Sequence, residues 1–112
     1  MKGETEMPKY KKISADEAKK MMGNGNTFIL LDVRTKEEFL EERIEGAFLI
    51  PDDEIASRAL KELPDKEIQI LIYCRSGQRS EGAAKVLTQM GYTEVYDFGG
   101  IIDWPYDMVH GE

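Results

Sequence analysis

The sequence has little with which to build the common metal and disulfide sites. It holds one cysteine, Cys74, and one histidine, His110, in 112 residues. A single cysteine excludes an intrachain disulfide and any cysteine-rich zinc site, and it fits a reducing compartment. The six methionines are scattered and form no metal or cofactor box. Neither a metal nor an organic cofactor is therefore expected. No apolar run approaches the ~20 residues that a membrane helix needs, and the first ten residues lack the apolar core of an export signal. A cytoplasmic protein with no membrane partner is expected. Positive charge is also short, with 15 Lys and Arg against 22 Asp and Glu for a net charge of −7. A surface of that sign repels phosphate backbones, which makes nucleic acid a poor partner.

What is present is the composition of an ordinary soluble globular protein, 41% hydrophobic and 33% charged, at a length that suits one domain and one core. Residues 1–9 and 107–112 carry no pattern and read as tails around a domain at 10–106. Between them strands and helices alternate. Residues 10–13 suit a short strand, and Ser14 with Glu17 forms a capping box that opens a helix ended by Gly23-Asn24-Gly25. Phe28–Leu31 is apolar without alternation, as in a strand covered on both faces. Thr35 and Glu38 form a second capping box for a short helix from Lys36 to Glu42, whose charged side chains predict a solvated face. Gly46–Ile50 is a short strand stopped by Pro51, and Asp52 and Asp53 suit the start of a helix reaching Leu63. Ile68–Tyr73 is the most strand-like stretch and predicts a central strand running into Cys74. Ala83, Val86, Leu87 and Met90 share one helical face in a helix from Ser80 to Met90 that Gly91 ends. Val95–Phe98 is the last strand, followed by Gly99-Gly100 and a short helix containing Trp104 and closed by Pro105. Such alternation predicts an α/β domain with a mostly parallel sheet and helices on both faces.

In open parallel sheets, ligands bind beyond the carboxyl ends of the strands, where Cys74 lies. A lone cysteine at the end of an apolar strand is most often an inert core residue. The loop that follows, Arg75-Ser76-Gly77-Gln78-Arg79-Ser80, argues otherwise. Gly77 lets the backbone turn tightly, and a curled loop before a helix N-terminus directs N–H groups at one centre, where the nearest anion is the Cys74 thiolate. Arg75 and Arg79 add positive charge suited to a small anionic substrate. Cys74 is thus the candidate nucleophile, with residues 75–79 as the binding loop and Ser80 in support.

The segment CRSGQRS after an apolar strand, with LLDVRTKEEF (Leu30 to Phe39), IEGAFLIP (Ile44 to Pro51) and GGIIDW (Gly99 to Trp104), resembles the single-domain rhodanese family over about Tyr10 to Tyr106. The resemblance implies a three-layer α/β/α domain with a five-stranded sheet and the chemistry of a thiosulfate sulfurtransferase. There a cysteine takes the outer sulfur of thiosulfate or another sulfane donor as a persulfide and passes it to cyanide or a thiol. Cys74 carries over as the nucleophile, and Arg75 to Arg79 as the loop holding the transferred sulfur. A persulfide carrier or docking module loaded by a sulfur-relay protein is the alternative. Arg43 stands where many members have a histidine regarded as structural.

Phosphatases and arsenate reductases share this fold but use a loop one residue longer between cysteine and arginine. Four residues separate Cys74 from Arg79, and the tighter ring favours a single sulfur atom over a tetrahedral oxyanion. His110, in the C-terminal tail, is read as solvated and cannot serve as base, so activation of Cys74 is electrostatic. With no second cysteine, the sulfur must leave to an outside acceptor. Asp32 and Arg34 end the first buried strand at the same sheet edge. Of two readings, substrate binding and a charged pair tying loop N–H groups, the second is favoured. Gly99 and Gly100 are read as points of close backbone approach, and Trp104 and Tyr106 as a lid on the core in preference to a lining of the active-site mouth.

Overall fold

The computed structural model describes residues 10–111; the predicted N-terminal tail, residues 1–9, lies outside the described residues. Five parallel strands form one sheet in the order β1-β5-β4-β2-β3, where β1 is Lys11–Lys12, β2 is Phe28–Asp32, β3 is Phe48–Leu49, β4 is Gln69–Cys74 and β5 is Val95–Gly100. The helices are α1 (Ala15–Met22), α2 (Lys36–Glu41), α3 (Ile55–Glu62) and α4 (Gln78–Gln89), with 3-10 turns at Asp52–Glu54 and Ile101–Asp103. The central position predicted for the strand before Cys74 is observed, with β4 between β2 and β5.

The period-two geometry of a strand divides these side chains between two cores. Ile70, Ile72 and Cys74 of β4 join Leu31 of β2, and α3 and α4 cover that face through Ile55, Ala59, Ala83, Ala84 and Leu87. Leu71 and Tyr73 point to the opposite face, where they pack with Leu30, Ala18 of α1, Phe98 and Trp104. Burying one such Leu or Ile contributes on the order of 1.5–3 kcal/mol. A charge placed at any of these β4 positions would therefore break a core, whichever face it entered.

Both predicted capping boxes form: Ser14 Oγ accepts from Glu17 N at 3.0 Å, and Thr35 Oγ1 accepts from Glu38 N at 3.2 Å. Several boundaries differ from expectation. The segment from Asp52 begins as a 3-10 turn and becomes α-helical only at Ile55, for no side chain caps its start. Gly46–Ile50 contributes just Phe48–Leu49 to the sheet. Helix α4 opens at Gln78, two residues early, because Gly77 with φ 111° turns the chain straight into it. Strand β5 runs on through Gly99-Gly100: the pairing shifts from Ile72–Asp97 to Cys74–Gly100, a bulge that Gly99 accommodates at φ 90°. Trp104 sits just past the last 3-10 turn and fills the core lid predicted for it, 5.4 Å from the Phe98 ring.

The stretch read as a C-terminal tail is tied down within the described residues. Val109 and Arg43 exchange backbone hydrogen bonds of 2.8 Å in both directions, and Gly111 N donates to Leu40 O. Arg43 adds a hydrogen bond to Phe39 O at 3.0 Å and stacks its guanidinium 4.6 Å over the Phe39 ring. His110 is exposed there as expected, with Nδ1 3.2 Å from Glu41 O.

Candidate active site

The site is built where β4 ends and α4 begins. Cys74 closes the strand with its side chain buried, and the chain then turns through exposed Arg75 and Ser76 and half-buried Gly77. The Gly77 N–H donates to Cys74 Sγ at 3.0 Å. Helix geometry leaves the N–H groups of Gln78, Arg79 and Ser80 without intrahelical acceptors, and no side chain caps them. Cys74 therefore stands at the positive end of a twelve-residue helix dipole.

Ser80 and Asp97 hold the loop from beneath. The buried Ser80 hydroxyl donates to Asp97 Oδ1 at 2.8 Å and lies 3.5 Å from Cys74 Sγ. Asp97 Oδ1 also accepts from Gly99 N at 2.9 Å. Burial pushes the Asp97 carboxyl above its usual range, opposed by the Gly99 N–H and the Ser80 hydroxyl. One carboxylate thereby couples the start of α4 to the β5 bulge. The bulge in turn brings Gly100 under the loop so closely that a Cβ there would overlap the Arg75 carbonyl oxygen and lie 2.7 Å from Ser76 Cα. Close approach is thus the role of Gly100, as expected from sequence, but not of Gly99, where a Cβ would meet nothing within 4 Å and it is the φ of 90° that calls for glycine. Asp97 was not singled out from sequence, although a carboxylate within the apolar run Val95–Phe98 was a usable sign of a buried, partnered acid.

The two arginines of the loop differ. Arg75 is exposed, and no carboxylate lies within ion-pair distance of it among the described residues. Arg79 instead reaches across to α2, its two terminal nitrogens 2.8 and 3.0 Å from the oxygens of Glu38. Hydrogen bonding to Arg79 lowers the Glu38 carboxyl to about 2. The positive charge expected from Arg79 is consequently met within the protein, and α2 is not simply a solvated face: Glu38 turns inward, while Lys36, Glu37 and Glu41 are exposed. Glu38 escaped the sequence reading because its capping-box role already accounted for it.

Asp32 and Arg34 form a separate network beside the site. Arg34 donates through Nε to Asp32 Oδ1 at 3.0 Å and through a terminal nitrogen to Oδ2 at 2.7 Å, while its backbone N–H donates to Oδ1 at 2.9 Å. The Tyr73 hydroxyl donates to Asp32 Oδ2 at 2.6 Å and accepts from Ile44 N at 3.3 Å. Burial, with Asp32 second, drives the Tyr73 hydroxyl pKa well up, so it stays a donor. These groups are consumed by one another, in the structural arrangement favoured from sequence. Arg34, Glu38, Glu41, Glu42, Arg75 and Ile102 border a cleft of about 480 Å³ outside the loop.

Comparison with known proteins gives this geometry its family. The family model of the Rhodanese-like domain matches residues 14–105. The chain belongs to the rhodanese family. Among curated relatives, the thiosulfate sulfurtransferase PspE of Escherichia coli is 37% identical over 81 residues, which cover 72% of this chain and 78% of that protein. A sulfurtransferase of Allochromatium vinosum is 36% identical over 93 residues, covering 82% of this chain and 85% of the relative. The solved structure of "rhodanese with anions from E. coli" is similar with a TM-score of 0.71 at 35% identity, covering 76% of this chain and all of that one. This rhodanese is an enzyme of the sulfurtransferase type, and its sheet and helices match the three-layer fold that the sequence resemblance implied. Among the described residues, no helix is long and apolar enough to cross a membrane.

Proposed function

We propose that this rhodanese transfers a sulfane sulfur from thiosulfate or a similar small anionic donor to cyanide or a thiol through a persulfide on Cys74. The observation that carries the reading is the Gly77 N–H on Cys74 Sγ at the N-terminus of α4. A charged sulfur is favoured at that place by the helix dipole and by the N–H groups of the first turn.

In the first half-reaction, Cys74 thiolate attacks the outer sulfur of thiosulfate. A bond from Sγ to that sulfur forms, the bond from it to the sulfonate sulfur breaks, and sulfite leaves with the electron pair. The terminal persulfide sulfur then carries the negative charge, and the unpartnered N–H groups of the first turn of α4 are suited to receive it. In the second half-reaction, cyanide carbon attacks the terminal sulfur, thiocyanate leaves, and the thiolate returns. No external oxidant or reductant is consumed. A thiol acceptor follows the same path and departs as its own persulfide.

The loop fits this reaction better than phosphate chemistry. With Arg79 paired to Glu38, the bidentate arginine that a tetrahedral oxyanion would need is already engaged. The test is mass spectrometry of the intact protein after exposure to thiosulfate. The expected result is a gain of one sulfur on Cys74, removed by cyanide with stoichiometric thiocyanate. A persulfide that forms only when a partner protein supplies the sulfur would favour the carrier reading, and hydrolysis of aryl phosphates at enzymatic rates would reject both.

A further inference from the structure

We infer that Glu38 sets the donor preference of the Cys74 site: by sequestering Arg79 it holds down the capture of doubly charged sulfur donors relative to singly charged ones. The inference rests on the sulfur-transfer reading and concerns which donors that site accepts.

Three features distinguish the pair from an ordinary surface ion pair. Both terminal nitrogens of Arg79 are engaged, at 2.8 and 3.0 Å. The Glu38 Oε1 that accepts from Arg79 is also held by Thr35, whose N–H and hydroxyl donate to it at 2.9 and 3.1 Å. The acceptor is thereby anchored to the capping box of α2 rather than carried on a swinging side chain. Finally, Arg79 belongs to the first turn of α4, and charge on Cys74 is among the influences that raise its pKa, behind the hydrogen bond to Glu38. An unpaired guanidinium in that position would add its full charge to the field at the nucleophile.

The remaining charges at the cleft outside the loop give this sequestration its consequence. Arg34 is matched by Asp32. Arg75 is then the guanidinium at the cleft without a carboxylate partner among the described residues, and Glu41, Glu42 and His110 line the same cleft, with His110 Nδ1 3.8 Å from Glu42. A dianion entering there meets one uncompensated guanidinium, two acids and the His110 imidazole beside Glu42. Releasing Arg79 would improve the field for every anion, but in proportion to the charge that the anion carries.

Glu38→Gln tests this cleanly, because glutamine also serves at the third position of a capping box and leaves the start of α2 capped. It removes the carboxylate charge and replaces one acceptor facing Arg79 with a donor. Loading of Cys74 is followed by mass spectrometry with two donors that break the same kind of bond, thiosulfate as the dianion and methanethiosulfonate as the monoanion, the latter releasing methanesulfinate. The expected second-order loading rate rises roughly tenfold with thiosulfate and roughly threefold with methanethiosulfonate, since the interaction energy scales with donor charge. Both gains should shrink as salt is added. Glu38→Ala, with circular dichroism as the folding control, should show the same ratio between donors. Equal gains for the two donors, no gain, or a loss with both would overturn the inference and leave Glu38 a structural brace. A parent protein that neither donor loads at Cys74 would instead reject the sulfur-transfer reading on which the inference stands.

Discussion

Strands β2 and β4 end side by side, with Asp32 opposite Tyr73 in the register, yet the two ends are finished differently. At the end of β2, Asp32, Arg34 and Tyr73 meet one another's hydrogen-bonding needs in a buried network. At the end of β4, Cys74 accepts one backbone N–H, and the first turn of α4 presents donors without intrahelical acceptors. Groups satisfied internally hold shape; groups left with capacity are the ones a substrate can meet. The difference between neighbouring strand ends therefore separates support from chemistry more sharply than residue type does, for each end carries an arginine and an ionisable partner.

Cys74→Ser probes the open end and should have the largest effect. A serine alkoxide is inaccessible at neutral pH and oxygen cannot carry the sulfane sulfur, so thiocyanate formation from thiosulfate and cyanide should fall to background. Circular dichroism and the thermal midpoint should stay close to the parent's, since the substitution is nearly isosteric. Residual transfer at a sizeable fraction of the parent rate would move the chemistry away from β4.

Asp32→Ala probes the closed end and should do the reverse. It leaves the Arg34 guanidinium buried without its carboxylate and removes the acceptor of the Tyr73 hydroxyl. Breaking a buried pair from one side costs about 3–5 kcal/mol, readable as a lower denaturation midpoint in urea. Asp32→Asn keeps an acceptor and should lose less. Were Asp32→Ala to reduce transfer strongly while stability held, the network would belong to the site after all.

What the sequence made legible follows the range of the interactions. Capping boxes span three residues and strand burial shows in an unbroken apolar run, so α1, α2, β2 and β4 could be read directly. Cys74 was legible because the strand-to-loop transition and the glycine lie beside it. The Glu38–Arg79 pair joins positions 41 apart, and nothing local to either side chain marks the other. The Arg43–Val109 bridge is more remote still, on a stretch without periodicity. Gly99-Gly100 read as an end because glycine usually breaks a strand; the bulge and the close loop above turn the same residues into a continuation.

Gly100→Ala tests the support beneath the open end, with a smaller effect than either preceding change. The added Cβ would overlap the Arg75 carbonyl oxygen, backbone that cannot rotate aside. Overpacking of this kind costs about 1–3 kcal/mol, and relief by lifting the loop would carry the Gly77 N–H off Sγ. Stability and persulfide loading should therefore fall together. A variant with reduced stability but parental loading would show that the loop tolerates displacement.

The smallest effect concerns the pair that links the loop to α2. Glu38 is held at about 2 in the folded protein, chiefly by its hydrogen bond to Arg79, against an ordinary 4.5. A carboxyl whose folded pKa is depressed stabilises the fold at pH above the unfolded value, and that contribution is lost as pH falls from about 4.5 through about 2. Because both side chains are partly exposed, at 25% and 31%, solvent screens the pair and its worth is about 1 kcal/mol rather than the full linkage of the shift. Thermal midpoints of the parent and Glu38→Gln should therefore differ modestly near neutral pH and converge towards pH ~2 as the carboxylate is protonated. The Asp32→Ala deficit provides the contrast, being larger at neutral pH because its pair is buried and screened far less. A Glu38→Gln difference as large as that of Asp32→Ala, or one unchanged on acidification, would erase the distinction between the supporting end and the open one.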